Sequence, residues 1–319
     1  MEQAIGPILV SFFACLAAGP VLIPLLTKLK FGQVVRDDGP QSHLKKAGTP
    51  TIGGLIILVG VMTGTGVFLR SYDPNMLAAG ICFLGFGIIG FLDDFLKIHK
   101  KRSLGLRAWQ KIVLQLLVSI AVALYMYTHI GTTLRLPFTD RTWDLGVWYV
   151  PFAVLVLIAT VNSANLTDGL DGLLSGVSLV YFAAYTLIFA ALSSPLSDNM
   201  LVLCGALVGS CLGFLRFNVF PARVFMGDTG SLALGGAVAF VALASRTALW
   251  LPVMGGCYLI SSLSDIIQVA SYKLRDKKRV FKMAPIHHHF ELMGMPETRV
   301  VAMYMIATTI LCLAGLWAL

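Results

Sequence analysis

Residues 74–97 read PNMLAAGICFLGFGIIGFLDDFLK: nineteen residues without a charge, then two adjacent aspartates, and a lysine three positions on. A helix needs about 20 mostly apolar residues to cross the hydrocarbon of a bilayer. Nine further uncharged stretches flank this one, at 3–27, 47–69, 112–134, 145–167, 172–197, 199–215, 229–245, 247–264 and 300–319. A transmembrane barrel would show short alternating segments instead. The pattern therefore predicts an all-α integral membrane protein of ten transmembrane helices. The predicted spans are 4–27, 51–69, 75–96, 110–131, 146–163, 172–193, 199–215, 230–246, 248–271 and 299–318. Composition agrees: of 319 residues, 57% are hydrophobic and only 13% charged, against about 25% in soluble domains. An ordinary soluble enzyme and a disordered chain are excluded.

Loops after odd-numbered spans hold twenty of the 24 Lys and Arg; the other side holds Arg70, Arg135, Arg141 and Arg246. The positive-inside rule places the basic side in the cytoplasm and both termini outside. The formal charge of +8 then reports topology and attraction to anionic head groups, not nucleic acid. No internal repeat, low-complexity segment or composition shift divides the chain, so residues 1–319 read as one polytopic membrane domain. The start, Met-Glu-Gln, has no basic n-region and is not a cleavable signal. Six cysteines (15, 82, 204, 211, 257, 312) fall inside spans without a Cys-x-x-Cys, which predicts neither disulfides nor a zinc site. Residues 132–144 fit a small outer hairpin.

Chemistry-bearing residues gather at the cytoplasmic ends. Asp93 and Asp94 repel each other, so at least one calls for a cation or a proton. Magnesium is held by one or two carboxylates plus substrate phosphates. The plainer reading is a helix end neutralised by Lys97, Lys100 and Lys101. The loop Asn165-Leu166-Thr167-Asp168-Gly169-Leu170-Asp171-Gly172 carries two acids and no base, with Asn165, Asp168 and Asp171 at spacing three. It suits the donors of a base or sugar, or else Thr167 or Asp168 simply caps a helix start.

Met226-Gly227-Asp228-Thr229-Gly230-Ser231 leads into the eighth span like a phosphate cradle at a helix N-terminus. Asp228 there calls for a bridging cation, unless it or Thr229 is a plain N-cap. His287, His288 and His289 are adjacent, so they cannot converge on one metal from a helix; they suit phosphate or sugar oxygens, with Glu291 orienting one. Lys46 lies beside a Gly/Thr/Pro turn at 48–51. Asp265 and Gln268 share a face of the ninth span, where Asp265 serves either a ligand or a neighbouring helix. The inventory suits phosphoryl transfer to a lipid acceptor, which runs mostly on positioning and charge neutralisation.

Taken in order, Ser-His-x-x-Lys-x-Gly-Thr-Pro-Thr-x-Gly-Gly (42–54), Asp-Asp-Phe-x-Lys (93–97), Asn-Leu-Thr-Asp-Gly-Leu-Asp-Gly (165–172), Met-Gly-Asp-Thr-Gly-Ser (226–231) and His-His-His-Phe-Glu (287–291) carry a resemblance. The chain resembles the bacterial phospho-N-acetylmuramoyl-pentapeptide transferases, in the polyprenyl-phosphate sugar-1-phosphate transferase superfamily. The resemblance spans essentially the whole chain. The carboxylate motifs are shared across the superfamily, whereas 42–54 and 287–291 are more specific to this branch.

It implies transfer of phospho-MurNAc-pentapeptide from UDP-MurNAc-pentapeptide to undecaprenyl phosphate, giving lipid I and UMP, with Mg2+, in the bacterial cytoplasmic membrane. It further implies Asp93, Asp94 and Asp228 as catalytic carboxylates, with Asp228 and Asp93 as metal ligands. Lys46, Thr51, Lys97, Asn165, Asp168, Gly169, Leu170, Asp171, Phe225, Gln268, His287, His288 and His289 would bind substrate, with Phe225 stacking on uracil. A homodimer is implied as well. Two rivals stand beside this. One is a sister transferase using UDP-N-acetylglucosamine. The other is a secondary transporter of an anionic solute, against which stand acids placed at helix ends and the lack of a repeat.

Overall fold

The computed structural model describes residues 2–29, 31, 48–69, 73–100, 104–192 and 195–318. The element order is α1 (Glu2–Lys28), α2 (Gly54–Phe68), α3 (Pro74–His99), α4 (Ala108–His129), β1 (Thr133–Arg135), β2 (Thr142–Asp144), α5 (Tyr149–Thr167), α6 (Leu173–Leu192), α7 (Pro195–Asn218), α8 (Gly227–Ala244), α9 (Leu251–Met254), α10 (Gly256–Leu274), α11 (Ile286–Leu292) and α12 (Glu297–Trp317).

Eight helices among the described residues are long and apolar enough to cross a membrane. They are α1, α3, α4, α5, α6, α7, α8 and α12, with the 3-10 turn Gly146–Trp148 extending α5. The chain is an all-α integral membrane protein that passes the bilayer several times. Two expected spans take other forms. The helix inside 51–69 has 15 residues, about 22 Å of rise. The expected ninth span is a bent pair, Ala248–Met254 followed by Gly256–Leu274, at 80° to one another. The bend falls at Gly255–Gly256, where two residues without side chains succeed Pro252.

Burial is inverted relative to a soluble protein. Lipid-facing side chains such as Phe13, Val21, Ile306 and Ile310 are exposed on α1 and α12. The core is α8, in which every residue from Thr229 to Ala244 is buried. Its run of Gly and Ala lets neighbours approach closely, and close van der Waals packing is what associates helices in lipid. α3 and α5 lie along α8; α1 packs on α2 and α7; α6 packs on α7 and α12; α10 packs on α5.

Gly90 shows how tight this is. A Cβ there would land on the backbone carbonyl of Asp228. α3 therefore meets the N-terminal turn of α8 backbone to backbone, which brings Asp93 and Asp94 beside Asp228.

Local sequence sets the ends. Asp73 caps α3, its Oδ1 accepting the Asn75 N–H at 2.8 Å, and Pro74 occupies the first turn. The expected hairpin forms, with Thr133 opposite Asp144. The Asp144 carboxylate accepts the Thr132 hydroxyl and the Gly146 N–H, which holds it below the usual carboxylate range. All six cysteines are free and buried.

Candidate active site

Three carboxylates from two helices converge. Oxygens of Asp93, Asp94 and Asp228 all lie within 4.8 Å of one another. Lys97, one turn beyond Asp93 on α3, reaches Asp93 Oδ2 at 2.6 Å, Asp228 Oδ2 at 3.1 Å and Asp94 Oδ1 at 3.6 Å. Lys111, from α4, reaches Asp228 Oδ2 at 2.7 Å. Two cations stand against three carboxylates, and like charges this close call for another cation or a proton.

Each carboxylate is held differently. Asp94 Oδ2 accepts both the backbone N–H and the hydroxyl of Thr229, each at 2.9 Å. A carboxylate at the positive end of a helix is well placed, and here Asp94 takes up the N-terminus of α8 that the sequence offered to phosphate. Asp93 Oδ1 accepts the Leu106 N–H at 2.9 Å. Asp228 Oδ1 accepts the Asn165 amide at 2.9 Å, and the same amide nitrogen donates to Ser231 Oγ at 2.8 Å. The Asp228 side chain is the most open of the three, 15% exposed against 5% and 4% for Asp93 and Asp94.

The 165–172 turn joins from α5. Asp168 ends that helix as its C-cap, and α6 begins only at Leu173. The alternative of Thr167 or Asp168 as an N-cap is therefore not what forms. Neither does Asp228 or Thr229 cap α8: the N-cap is Met226, with no side-chain bond. Burial, then the charges of Asp228, Asp94 and Asp171, hold the Asp168 carboxyl well above the usual carboxylate range.

Asp171 faces elsewhere. Its Oδ2 accepts the Ala222 N–H at 2.9 Å and its own N–H donates to Glu297 Oε1 at 2.6 Å. Even spacing of three does not align Asn165, Asp168 and Asp171, because the helix stops at Thr167. Leu170 is buried. Gly169 packs against the His287 ring so closely that a Cβ would overlap its Nε2.

The 48–54 and 223–231 segments are zipped together. Phe225 N–H donates to Pro50 O at 2.8 Å, Gly53 N–H to Phe225 O at 2.8 Å and Gly54 N–H to Met226 O at 2.9 Å. Thr51 is buried there, and Phe225 is half-buried. Lys46 lies outside the described residues.

The histidines diverge along α11, as adjacent helical residues must. His287 is buried against Gly169 and Tyr304. His288 Nδ1 pairs with Glu291 Oε2 at 2.8 Å. His289 Nδ1 accepts the Lys282 N–H at 3.0 Å. Gln268 is committed to the 278–282 segment, accepting from Val280 and Phe281 N–H at 3.0 Å and donating to Phe281 O at 2.9 Å. Of the predicted residues, Asp93, Asp94, Lys97, Asn165 and Asp228 meet directly, with Asp168 in range of their charges; Gln268, His288, His289 and Asp171 bind protein partners around them.

Sequence reasoning missed Lys111, Glu297 and Asn218. Lys111 carried a signal: a cation in the first turn of a helix opposes the dipole and so calls for an anion. Asn218 accepts from Gly172 N–H and Ser175 Oγ and donates to Val224 O, but nothing in its spacing announced this.

The profile of Glycosyl transferase family 4 matches residues 76–246, a span that contains the three aspartates. The chain is 49% identical over 321 residues to the phospho-N-acetylmuramoyl-pentapeptide-transferase of Clostridium kluyveri, covering 100% of both chains. The chain belongs to the phospho-N-acetylmuramoyl-pentapeptide transferase family. A family member from Clostridioides difficile is 50% identical over 305 residues, covering 95% of this chain and 94% of its own. Another, from Acetivibrio thermocellus, is 50% identical over 314 residues, covering 98% and 94%.

Proposed function

We propose that the protein transfers phospho-MurNAc-pentapeptide from UDP-MurNAc-pentapeptide to undecaprenyl phosphate, releasing UMP and forming lipid I. The observation that carries this is the convergence of Asp93, Asp94 and Asp228 on Lys97 and Lys111, in a chain half identical over its length to transferases of that name. The reading includes ten crossings of the bacterial cytoplasmic membrane, both termini outside, the site on the cytoplasmic face and a homodimer.

The donor set fits a hard cation: three carboxylates, with oxygen the only ligand type. Asp228, the most open, would hold magnesium with Asp93, and the bound ion would supply positive charge to the donor diphosphate. Asp94 Oδ2 is engaged by Thr229, which fixes α3 to the start of α8. A phosphate monoester has its second pKa at about 6, so the acceptor enters ionised at pH 7, and Lys97 and Lys111 are the cations placed to receive it. The lipid phosphate oxygen bonds to the sugar-bearing phosphorus as the bond to the UMP oxygen breaks. Lys97 and Lys111 offset the charge of the donor diphosphate and the acceptor phosphate entering among acids. Asn165, Asp168, Gly169, Leu170, Thr51, Lys46 and Phe225 would hold the nucleotide, and the α11 histidines the sugar side.

The test is UMP release by purified protein from UDP-MurNAc-pentapeptide, with and without undecaprenyl phosphate, in Mg2+ and in EDTA. Release that needs both lipid and metal supports the reading. Release from UDP-N-acetylglucosamine in preference to the muramoyl donor sinks it.

A further inference from the structure

Lys111 and Gln115 lie four residues apart and share one face of α4, while Val113, Leu117 and Ile120 on the other side are exposed. Gln115 is 0% exposed. A primary amide so placed costs free energy unless both its ends are met. Both are met by Asn162 of α5. Asn162 Nδ2 donates to Gln115 Oε1 at 2.8 Å, and Gln115 Nε2 donates to Asn162 Oδ1 at 3.4 Å. Asn162 Nδ2 also donates to Ile158 O at 2.8 Å, one turn back on α5. The Asn162 amide is thus anchored to its own helix and presents a fixed partner to α4.

The pair stands one turn behind the acidic cluster on both helices. Lys111 precedes Gln115 by one turn of α4, and Asn165 follows Asn162 by one turn of α5. Those two side chains grip opposite oxygens of Asp228. Lys111 Nζ donates to Oδ2 at 2.7 Å, and Asn165 Nδ2 donates to Oδ1 at 2.9 Å. A lysine is a point charge on a flexible stem, so the seat of α4 against α5 decides where its Nζ falls. At the far end of the same interface, the Tyr149 hydroxyl meets Met126 Sδ at 3.7 Å. A thioether is a weak acceptor, so the amide pair is the firmer tie of the two.

We propose that Gln115 is a positioning residue for the transfer. Paired with Asn162, it sets the spacing of α4 and α5 at which Lys111 and Asn165 hold both oxygens of Asp228. The proposal rests on the transferase reading above. Gln115 acts through Lys111 and not by contact with substrate. Without the pair, α4 shifts against α5 and the Lys111 charge moves away from the incoming phosphates, and small misplacements at a reacting centre are costly.

The test uses the full-length protein in detergent. Gln115→Met keeps the length of the side chain and removes its amide. It should raise the donor KM for UMP release about threefold, the size of one interhelical hydrogen bond in lipid. The deciding readout is a double-mutant cycle with Lys111→Met. In that background the charge to be placed is gone, so Gln115→Met should leave the donor KM where Lys111→Met alone puts it. The same fold-change in both backgrounds means that Gln115 supports the fold alone, and overturns the proposal. Unfolding midpoints of the same four proteins give a readout free of activity. The double variant should lose less than the two single losses added together; additive losses overturn the proposal. Where Gln115→Met fails to fold, Asn162→Leu removes the partner and is read through the same cycle. Absent UMP release by the wild type with every donor sinks the transferase reading, and the unfolding cycle still decides whether Gln115 places Lys111.

Discussion

Lys111 of α4 and Asp228 of α8 meet at 2.7 Å, and the same Asp228 oxygen lies 3.1 Å from Lys97 of α3. Three helices are thus tied at one carboxylate atom. The charge that Lys111 offsets rises further when phosphates enter. Lys111→Met should raise the donor KM about tenfold, the effect of losing one charged contact. Half-saturating Mg2+ should stay level or fall, since the carboxylates lose a competing cation. A higher magnesium requirement in steady-state kinetics would show that Lys111 supports the metal instead.

Asp228→Asn keeps the size of the side chain and removes its charge. UMP release should drop at least about 100-fold, in the range for a lost electrostatic contact to the transition state. Melting temperature in detergent should fall as well, because Lys97 and Lys111 lose their shared anion, so turnover is compared at a temperature where both proteins are folded. Full magnesium-dependent turnover in this variant would remove Asp228 from the metal site.

Gly90 and Gly169 separate packing from chemistry. Gly90→Ala drives a Cβ into the Asp228 carbonyl, where only backbone lies opposite, and should cost about 1–3 kcal/mol of stability. Gly169→Ala meets a ring, His287, which can shift. Thermal unfolding should therefore fall more for Gly90→Ala, and the donor KM should rise more relative to Tm for Gly169→Ala. Equal behaviour of the two would contradict the geometry.

Glu297 accepts the Asp171 N–H and so braces the turn that carries Asp168. Glu297→Ala leaves that buried donor without this acceptor, at a cost of about 1–3 kcal/mol. Glu297→Gln keeps an amide oxygen there and should restore most of the loss. Comparing both variants by unfolding and by kcat distinguishes a hydrogen-bond brace from a need for charge, in which case Gln would fail as Ala does.

All six cysteines are buried, so native protein should resist maleimide labelling until denatured. Labelling of Cys15 or Cys82 in the folded state would mean that α1 or α3 packs less closely than described.

The membrane class was legible in the chain because a bilayer demands long uncharged helices, and nineteen such residues at 74–92 have few other uses. Asp93, Asp94, Asn165 and Asp228 were legible for a related reason: polar groups at the ends of apolar helices are costly unless used. What pattern alone left open was direction. Asn165 and Asp171 read alike at spacing three, yet one reaches Asp228 and the other the Ala222 backbone, because α5 stops at Thr167.

Gln268 read as a substrate contact; in the fold both ends of its half-buried amide bond loop backbone, at Val280 and Phe281. Lys111 was counted only as a topological charge; the packing of α4 beside α3 and α5 brings it to Asp228. The sequence by itself determined the lipid-embedded class and which residues carry charge, through period and composition. Only tertiary packing decided which of those charges meet, because contacts between residues 117 apart in the chain depend on how small-residue helices dock.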